Sequence, residues 1–201
     1  TLYNVLQEHN ISPKRIYEPS AGAGIFIDEA IKTFTGIEQI TAVEKDLLTG
    51  KVLKALFDTN VQQVPVQTHI CGLEQTSEKE NGKYDLVVSN IPFGNFSVYD
   101  PAYPDKAISG RIHNYFFAKG LDKLADGGIM AYVTTSAFMN SPSNRDAREH
   151  LFKRADLISL HILPDNLMSD TGGTMAPSHL IVVQKNEGKQ RLKYFERFAL
   201  D

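Results

Sequence analysis

The 201-residue sequence predicts an α/β fold: a mostly parallel seven-stranded sheet, helices on both faces, and one antiparallel strand near the end. Three observations predict it. Short runs rich in Val, Ile, Tyr and Thr alternate with helix-length amphipathic segments, the pattern of strands joined by crossover helices. Two of the runs lead directly into distinctive loops. Glu18-Pro19-Ser20-Ala21-Gly22-Ala23-Gly24 follows Arg15-Ile16-Tyr17, and Asn90-Ile91-Pro92-Phe93-Gly94 follows Tyr84-Asp85-Leu86-Val87-Val88-Ser89. The last two apolar runs are instead separated by Asp165 to Ser178, a Gly- and Ser-containing loop without helical period, which suits a hairpin-like antiparallel pair.

The elements follow in order. Strands are expected at about 15–19, 40–44, 66–70, 84–89, 128–135, 157–163 and 179–185. Helices are expected at about 24–34, 46–58, 109–125 and 143–155, with a weaker one near 73–78. The helix at 143–155 has the better start signal, because Ser141-Pro142-Ser143-Asn144 offers a cap and a proline before it. Asn95 to Gly110 reads as a long loop holding Tyr99, Pro101, Tyr103, Pro104 and Lys106, of a length that usually serves function or motion. Gln190 to Asp201 reads as one more short element.

Composition bounds the possibilities. The length has room for one sizeable domain, and 42% hydrophobic with 22% charged residues is ordinary for a globular chain with a core. No apolar stretch approaches the ~20 residues of a membrane span, and no signal peptide opens the chain. The lone Cys71 rules out an internal disulfide and suits a reducing cytosolic compartment. A free-standing nucleic-acid binder would carry a basic excess, whereas the net charge here is -3. The basic residues Arg145, Arg148, Lys153 and Arg154 are diluted by Asp146, Glu149 and Asp156, so most of any grip on nucleic acid is expected outside this chain. His113, His161 and His179 stand isolated, without metal-ligand spacing, and no metal site is expected.

The first loop has the chemistry of a cofactor turn. Gly22 and Gly24 let the backbone turn tightly and approach a ligand, with the positive end of the next helix aimed at it. A dinucleotide fingerprint would need a third glycine, but Ile25-Phe26-Ile27 follows Gly24, which disfavours that class. About 20 residues on, Glu44 closes Ile40-Thr41-Ala42-Val43, where an acid can accept both hydroxyls of a ribose, with Lys45 beside it. The third strand runs into Cys71-Gly72-Leu73-Glu74, where Gly72 and Leu73 would frame an adenine ring and Cys71 would fill space.

The second loop fits a planar, conjugated amine as substrate. Such a nitrogen is a poor nucleophile because its lone pair is delocalised. Acceptors for its hydrogens, the Asn90 side-chain oxygen and the Ile91 carbonyl, favour the pyramidal geometry that develops as it attacks. Pro92 makes the turn rigid, and the Phe93 ring can stack on a flat heterocycle.

At these residues the chain resembles the S-adenosylmethionine-dependent DNA adenine-N6 methyltransferases. In that family a Glu/Asp-Pro-x-x-Gly-x-Gly turn holds the cofactor and an Asn/Asp-Pro-Pro-Tyr/Phe loop receives the target adenine. Ile91 replaces proline at the second position of that loop, where the family uses the backbone carbonyl. Gly72-Leu73-Glu74, the runs 112–119 and 127–134, and Leu163-Pro164-Asp165-Asn166 followed by Gly173-Thr174 resemble the methylase domain of the methylase–helicase fusions of bacterial mobile elements and phages. The resemblance covers nearly all of 15–186.

It implies a Rossmann-like class I methyltransferase fold and S-adenosylmethionine held by Glu18, Pro19, Ser20, Ala21, Gly22, Gly24, Glu44, Lys45, Gly72, Leu73 and Asn90. Asn90, Ile91, Pro92 and Phe93 would be the catalytic group. Duplex DNA with a flipped adenine would be the substrate, further domains of the same polypeptide (helicase or target recognition) the partners, and a bacterial or phage-infected cytoplasm the location. Two family features are absent: Thr1 to Pro13 holds no Thr-Pro closure segment, and no length remains for a target-recognition region. With no initiator methionine, residues 1–201 are expected to form a single catalytic domain from a larger protein. Glutamine or RNA methyltransferases with a similar loop, and a non-catalytic cofactor- or DNA-binding domain of a larger motor, remain alternatives.

Overall fold

The computed structural model describes residues 2–57, 64–164 and 177–200. The chain begins with helix α1 (Leu2–Glu8) and then alternates: β1 (Arg15–Glu18), α2 (Ile25–Thr33), β2 (Gln39–Glu44), α3 (Leu47–Phe57), β3 (Val66–Ile70) and β4 (Tyr84–Asn90). Next come α4 (Lys106–Ser109), α5 (Ile112–Lys123), β5 (Leu124–Thr135), α6 (Ala137–Asn140), α7 (Arg145–Arg154), β6 (Ala155–Ile162), β7 (Ser178–Lys185) and α8 (Tyr194–Phe198). Among the described residues, no helix is long and apolar enough to cross a membrane.

The seven strands form one sheet in the order β3-β2-β1-β4-β5-β7-β6. Pairing is parallel from β3 through β5, and β7 runs antiparallel to both β5 and β6. Side chains alternate between the faces as the two-residue strand period requires. Tyr17, Val87, Met130, Tyr132 and Val183 join α5 and α7 on one side. Ile16, Leu86, Val88, Ile129, Ala131 and Val182 join α1, α2 and α3 on the other. The strand order reverses between β1 and β4, and such a switch point opens a crevice at the carboxyl ends of the two strands.

The predicted fold class holds, with local corrections. The antiparallel strand comes last in sequence but lies inside the sheet, leaving β6 at the edge. The helix expected at 109–125 is α5, starting after an extended Arg111, and a separate turn, α4, capped by the Asp105 carboxylate, lies in the segment expected as a loop. The strand expected from 128 starts at Leu124, where a register shift opposite Tyr84–Leu86 accommodates polar Asp126 and Gly127. In place of a helix near 73–78 there is a 3-10 turn, Leu73–Gln75, with a second beginning at Glu78; the Gln75 side chain accepts from Gly72 N and closes the first on itself. The expected short tail element is α8, and α1 and α6 were not foreseen. Asp58, most of the loop before β7 and the resembling residues Asp165, Asn166, Gly173 and Thr174 lie outside the described residues.

Candidate active site

Parallel pairing of Ile16 with Leu86 and Tyr17 with Val87 sets the two functional loops side by side at the carboxyl ends of β1 and β4. A hydrogen bond from Ser89 Oγ to Ser20 O (3.1 Å) joins them directly.

The first loop is tight. Gly22 and Gly24 take φ of 53° and 88°, left-handed values that glycine adopts without cost. Gly24 N donates to Ala21 O at 2.8 Å, and α2 starts at the next residue. A Cβ on Gly24 would fall 2.4 Å from Phe57 Cε2 and 2.7 Å from Leu53 Cδ1, so this glycine also seats α2 against α3. Gly24→Ala combines a disfavoured backbone conformation with overpacking and is expected to lower stability by about 2–4 kcal/mol, read as a fall in melting temperature.

Glu44 is already organised. Its Oε2 accepts from Gly22 N and its Oε1 from Asp46 N, each at 2.8 Å. The anion that meets the Gly22 amide is therefore the protein's own carboxylate. Each oxygen keeps a further lone pair for an incoming hydroxyl. Cys71 N donates to Glu44 O (3.0 Å), which brings the start of the third loop to the same place.

Glu18 lies beneath the turn, 1% exposed, and its Oε2 has no hydrogen-bond partner. Burial, with the charge of Glu44 added, holds its carboxyl well above the usual carboxylate range. The folded state thus binds this proton more tightly than the unfolded chain, and stability falls as pH rises from the unfolded value towards the folded one. Glu18→Gln removes that slope: its melting temperature relative to the parent should climb as pH is raised from about 5 to 8. A constant difference across that range would disprove the buried-acid assignment.

The crevice is a cavity of about 750 Å³. Six of the expected site residues line it: Pro19, Ser20, Glu44, Lys45, Leu73 and Pro92. Ala21 and Gly72 are buried, and Gly22 and Gly24 form the turn itself. Asn90 is exposed at the end of β4, and Phe93 is half-buried beyond it; neither lines the cavity. Ile91 points into the core, and its N–H donates to Val133 O at 3.0 Å. Proline could not make that bond, so isoleucine here extends the β4–β5 ladder by one rung.

Other lining residues escaped the sequence reading: Asp46, Leu47 and Glu74 beside expected positions, Phe96 to Tyr99 on the loop after Phe93, and Ile112 and Phe116 on α5. A long loop directly after the Asn90–Phe93 segment was the available signal for the second group. Cys71 also lines the cavity, with its thiol pushed up by burial and by Glu74, consistent with a space-filling role. No group of three or more His, Cys, Asp or Glu side chains is placed to hold a metal ion among the described residues.

The model of the Eco57I restriction-modification methylases matches residues 20–167, covering the first loop from Ser20, the whole second loop and strands β2 to β6. The chain belongs to the Eco57I restriction-modification methylase family. This Eco57I-type methylase is 24% identical over 197 residues to the defense against restriction protein B of Escherichia phage P1, covering 96% of this chain but only 8% of that protein. Its fold is that of the class I S-adenosylmethionine-dependent methyltransferases. One from Listeria monocytogenes superposes with a TM-score of 0.74 at 15% identity, covering 96% of this chain and 60% of the other. The M protein of the type I restriction enzyme EcoKI superposes with a TM-score of 0.68 at 16% identity, covering 86% of this chain and 40% of the other. S-adenosylmethionine is the cofactor of that fold class, and the residues of the Eco57I-type crevice fit it. Glu44 offers two positioned oxygens to a ribose, and Leu73 offers an apolar wall to adenine.

Proposed function

We propose that this methylase transfers the methyl group of S-adenosylmethionine to the exocyclic N6 amino group of adenine in DNA, the target base being flipped out of the duplex. The supporting observation is the direct adjacency of the glycine turn and the Asn90–Phe93 segment across the β1–β4 pair. Bound S-adenosylmethionine supplies an electrophilic methyl group on its sulfonium.

The protein's part is placement and polar stabilisation. Glu44 takes the ribose hydroxyls, while Leu73 and Pro92 bracket the adenine of the cofactor. The Asn90 side-chain oxygen and the Ile91 carbonyl accept the two N6 hydrogens, drawing the amine towards its nucleophilic geometry. Phe93 stacks on the flipped base. The proton is lost after methyl transfer has made it acidic, so no strong base is needed. Holding donor and acceptor in line supplies much of the acceleration. The Ile91 N–H bond to Val133 keeps the adjoining carbonyl aligned, which is the work proline rigidity would otherwise do.

In the same reading residues 1–201 act as one catalytic unit, and recognition of a DNA sequence comes from other parts of a larger polypeptide. The net charge of -3 supports that division, as does the match to a small part of a phage protein named for defence against restriction. Labelled S-adenosylmethionine offered with unmethylated DNA, RNA and protein extract tests the proposal. Label recovered as N6-methyladenine in DNA is the expected result. Label in RNA or glutamine would overturn the substrate and keep the loop chemistry.

A further inference from the structure

The segment that leaves Phe93 forms a whole wall of the crevice through Phe96, Ser97, Val98 and Tyr99. Val98 is its core contact, while Tyr99 is 85% and Phe96 55% exposed, so little of the segment's aromatic surface is held by packing. The next residue is different. Asp100 is buried, and its Oδ2 accepts from Lys119 Nζ at 2.7 Å and from the Tyr115 hydroxyl at 2.6 Å. Its Oδ1 accepts from Ala102 N at 3.0 Å, so both oxygens are engaged. The side chains of Asp100 and Lys119 are only 6% and 3% exposed. Val98 N, donating to Ser109 O at 2.8 Å, and Tyr103, bonded to Asp122, complete the attachment on either side.

The partner helix bears on the same cavity. Ile112 and Phe116 line it, while Tyr115 and Lys119 hold Asp100. Positions 112, 115, 116 and 119 share one face of α5, so one helical surface both lines the cavity and anchors the 96–99 segment that lines it too. A buried ion pair is a poor stabiliser, because desolvation of both charges offsets their attraction, but its strict geometry suits it to fixing one element against another. Burial works to raise the Asp100 carboxyl, yet the hydrogen bonds from Lys119 and Tyr115 outweigh it and hold the group below the ordinary aspartate range.

We propose that Asp100 is a positioning residue: its buried pair with Lys119, joined by Tyr115, latches residues 96–99 as a wall of the cavity that Glu44 and Leu73 also line, so that the slot is shaped before ligand arrives. This rests on the reading of the crevice as the cofactor site. Asp100 touches no reacting atom and acts through the aromatic wall it holds.

Two readouts test the latch on the full 201-residue chain. The sequence contains no tryptophan, so Tyr99→Trp places a single reporter on the wall. Adding Asp100→Asn to that reporter should lower its fluorescence anisotropy without any ligand. Separately, calorimetric titration with S-adenosylhomocysteine should show affinity reduced about tenfold or more by Asp100→Asn. Glu196→Gln is the control. It breaks the equally buried Lys189–Glu196 pair (2.6 Å), which lies away from the cavity, and should lower the melting temperature without changing affinity.

If Asp100→Asn does not fold, Tyr115→Phe removes one hydrogen bond from the same carboxylate and should shift both readouts in the same direction. Unchanged anisotropy and affinity in a folded variant would overturn the latch while leaving the cofactor reading intact. A parent chain that does not bind S-adenosylhomocysteine would overturn the cofactor reading and the latch with it.

Discussion

Asn90→Ala is expected to reduce methyl transfer about 10³-fold while leaving S-adenosylhomocysteine affinity within about threefold. The residue is exposed at the end of β4, and the one before it, Ser89, carries a hydrogen bond to the glycine turn. In the proposed reaction, what disappears is an acceptor for hydrogens whose positive charge grows only as the nitrogen attacks. An interaction made in the transition state and not in the ground state appears in kcat and not in binding. Single-turnover transfer alongside calorimetric binding separates the two quantities. Parallel losses in both would show that Asn90 holds cofactor and that the amine is polarised by another group.

Glu44→Ala is expected to weaken S-adenosylhomocysteine binding by about 10²-fold or more, because two charge-assisted hydrogen bonds to the ribose are worth roughly 1.5–3 kcal/mol each. The same substitution releases Gly22 N and Asp46 N, which now donate to the carboxylate at 2.8 Å, and loosens the glycine turn. Some of that loss is offset, since the charge of Glu44 also works against ionisation of the buried Glu18. A net fall in melting temperature of a few degrees is therefore expected, on the scale of about 2–4 °C per kcal/mol for a chain of this size. Glu44→Gln retains one acceptor oxygen and should fall between parent and alanine variant. An alanine variant that binds as tightly as the parent would remove Glu44 from the ribose site.

Much of this was legible along the chain because it depends on neighbours in sequence. The alternation of Ile16 and Tyr17, or of Met130, Ala131 and Tyr132, between the two buried faces follows from the two-residue strand period, and the Gly22–Gly24 turn follows from what glycine backbones tolerate. Boundaries were lost where a single local interaction outweighed periodicity. Asp105 capping Ala107 N made α4 a separate turn of helix, and Gln75 closing on Gly72 stopped a helix after three residues. The start of β5 was missed because Asp126 and Gly127 break the apolar pattern at an irregular register. Ile91 reads as a departure from the family loop in sequence, while in the structure it is a core residue whose N–H adds a rung to the sheet.

The sequence by itself determined the alternating α/β order and the backbone freedom of the glycine turn, and it supplied Asn90 and Ile91, the residues of the proposed acceptor role. Each resides in a few adjacent residues and their intrinsic geometry. Only the tertiary structure decided that Tyr17 and Val87 pair, that Glu44 closes on Gly22, and that Asp100 meets Lys119. Those contacts join residues 19 to 70 positions apart. They exist because burial of both sheet faces selects one strand order and one register, a choice made by the packing of the whole core and by no segment alone.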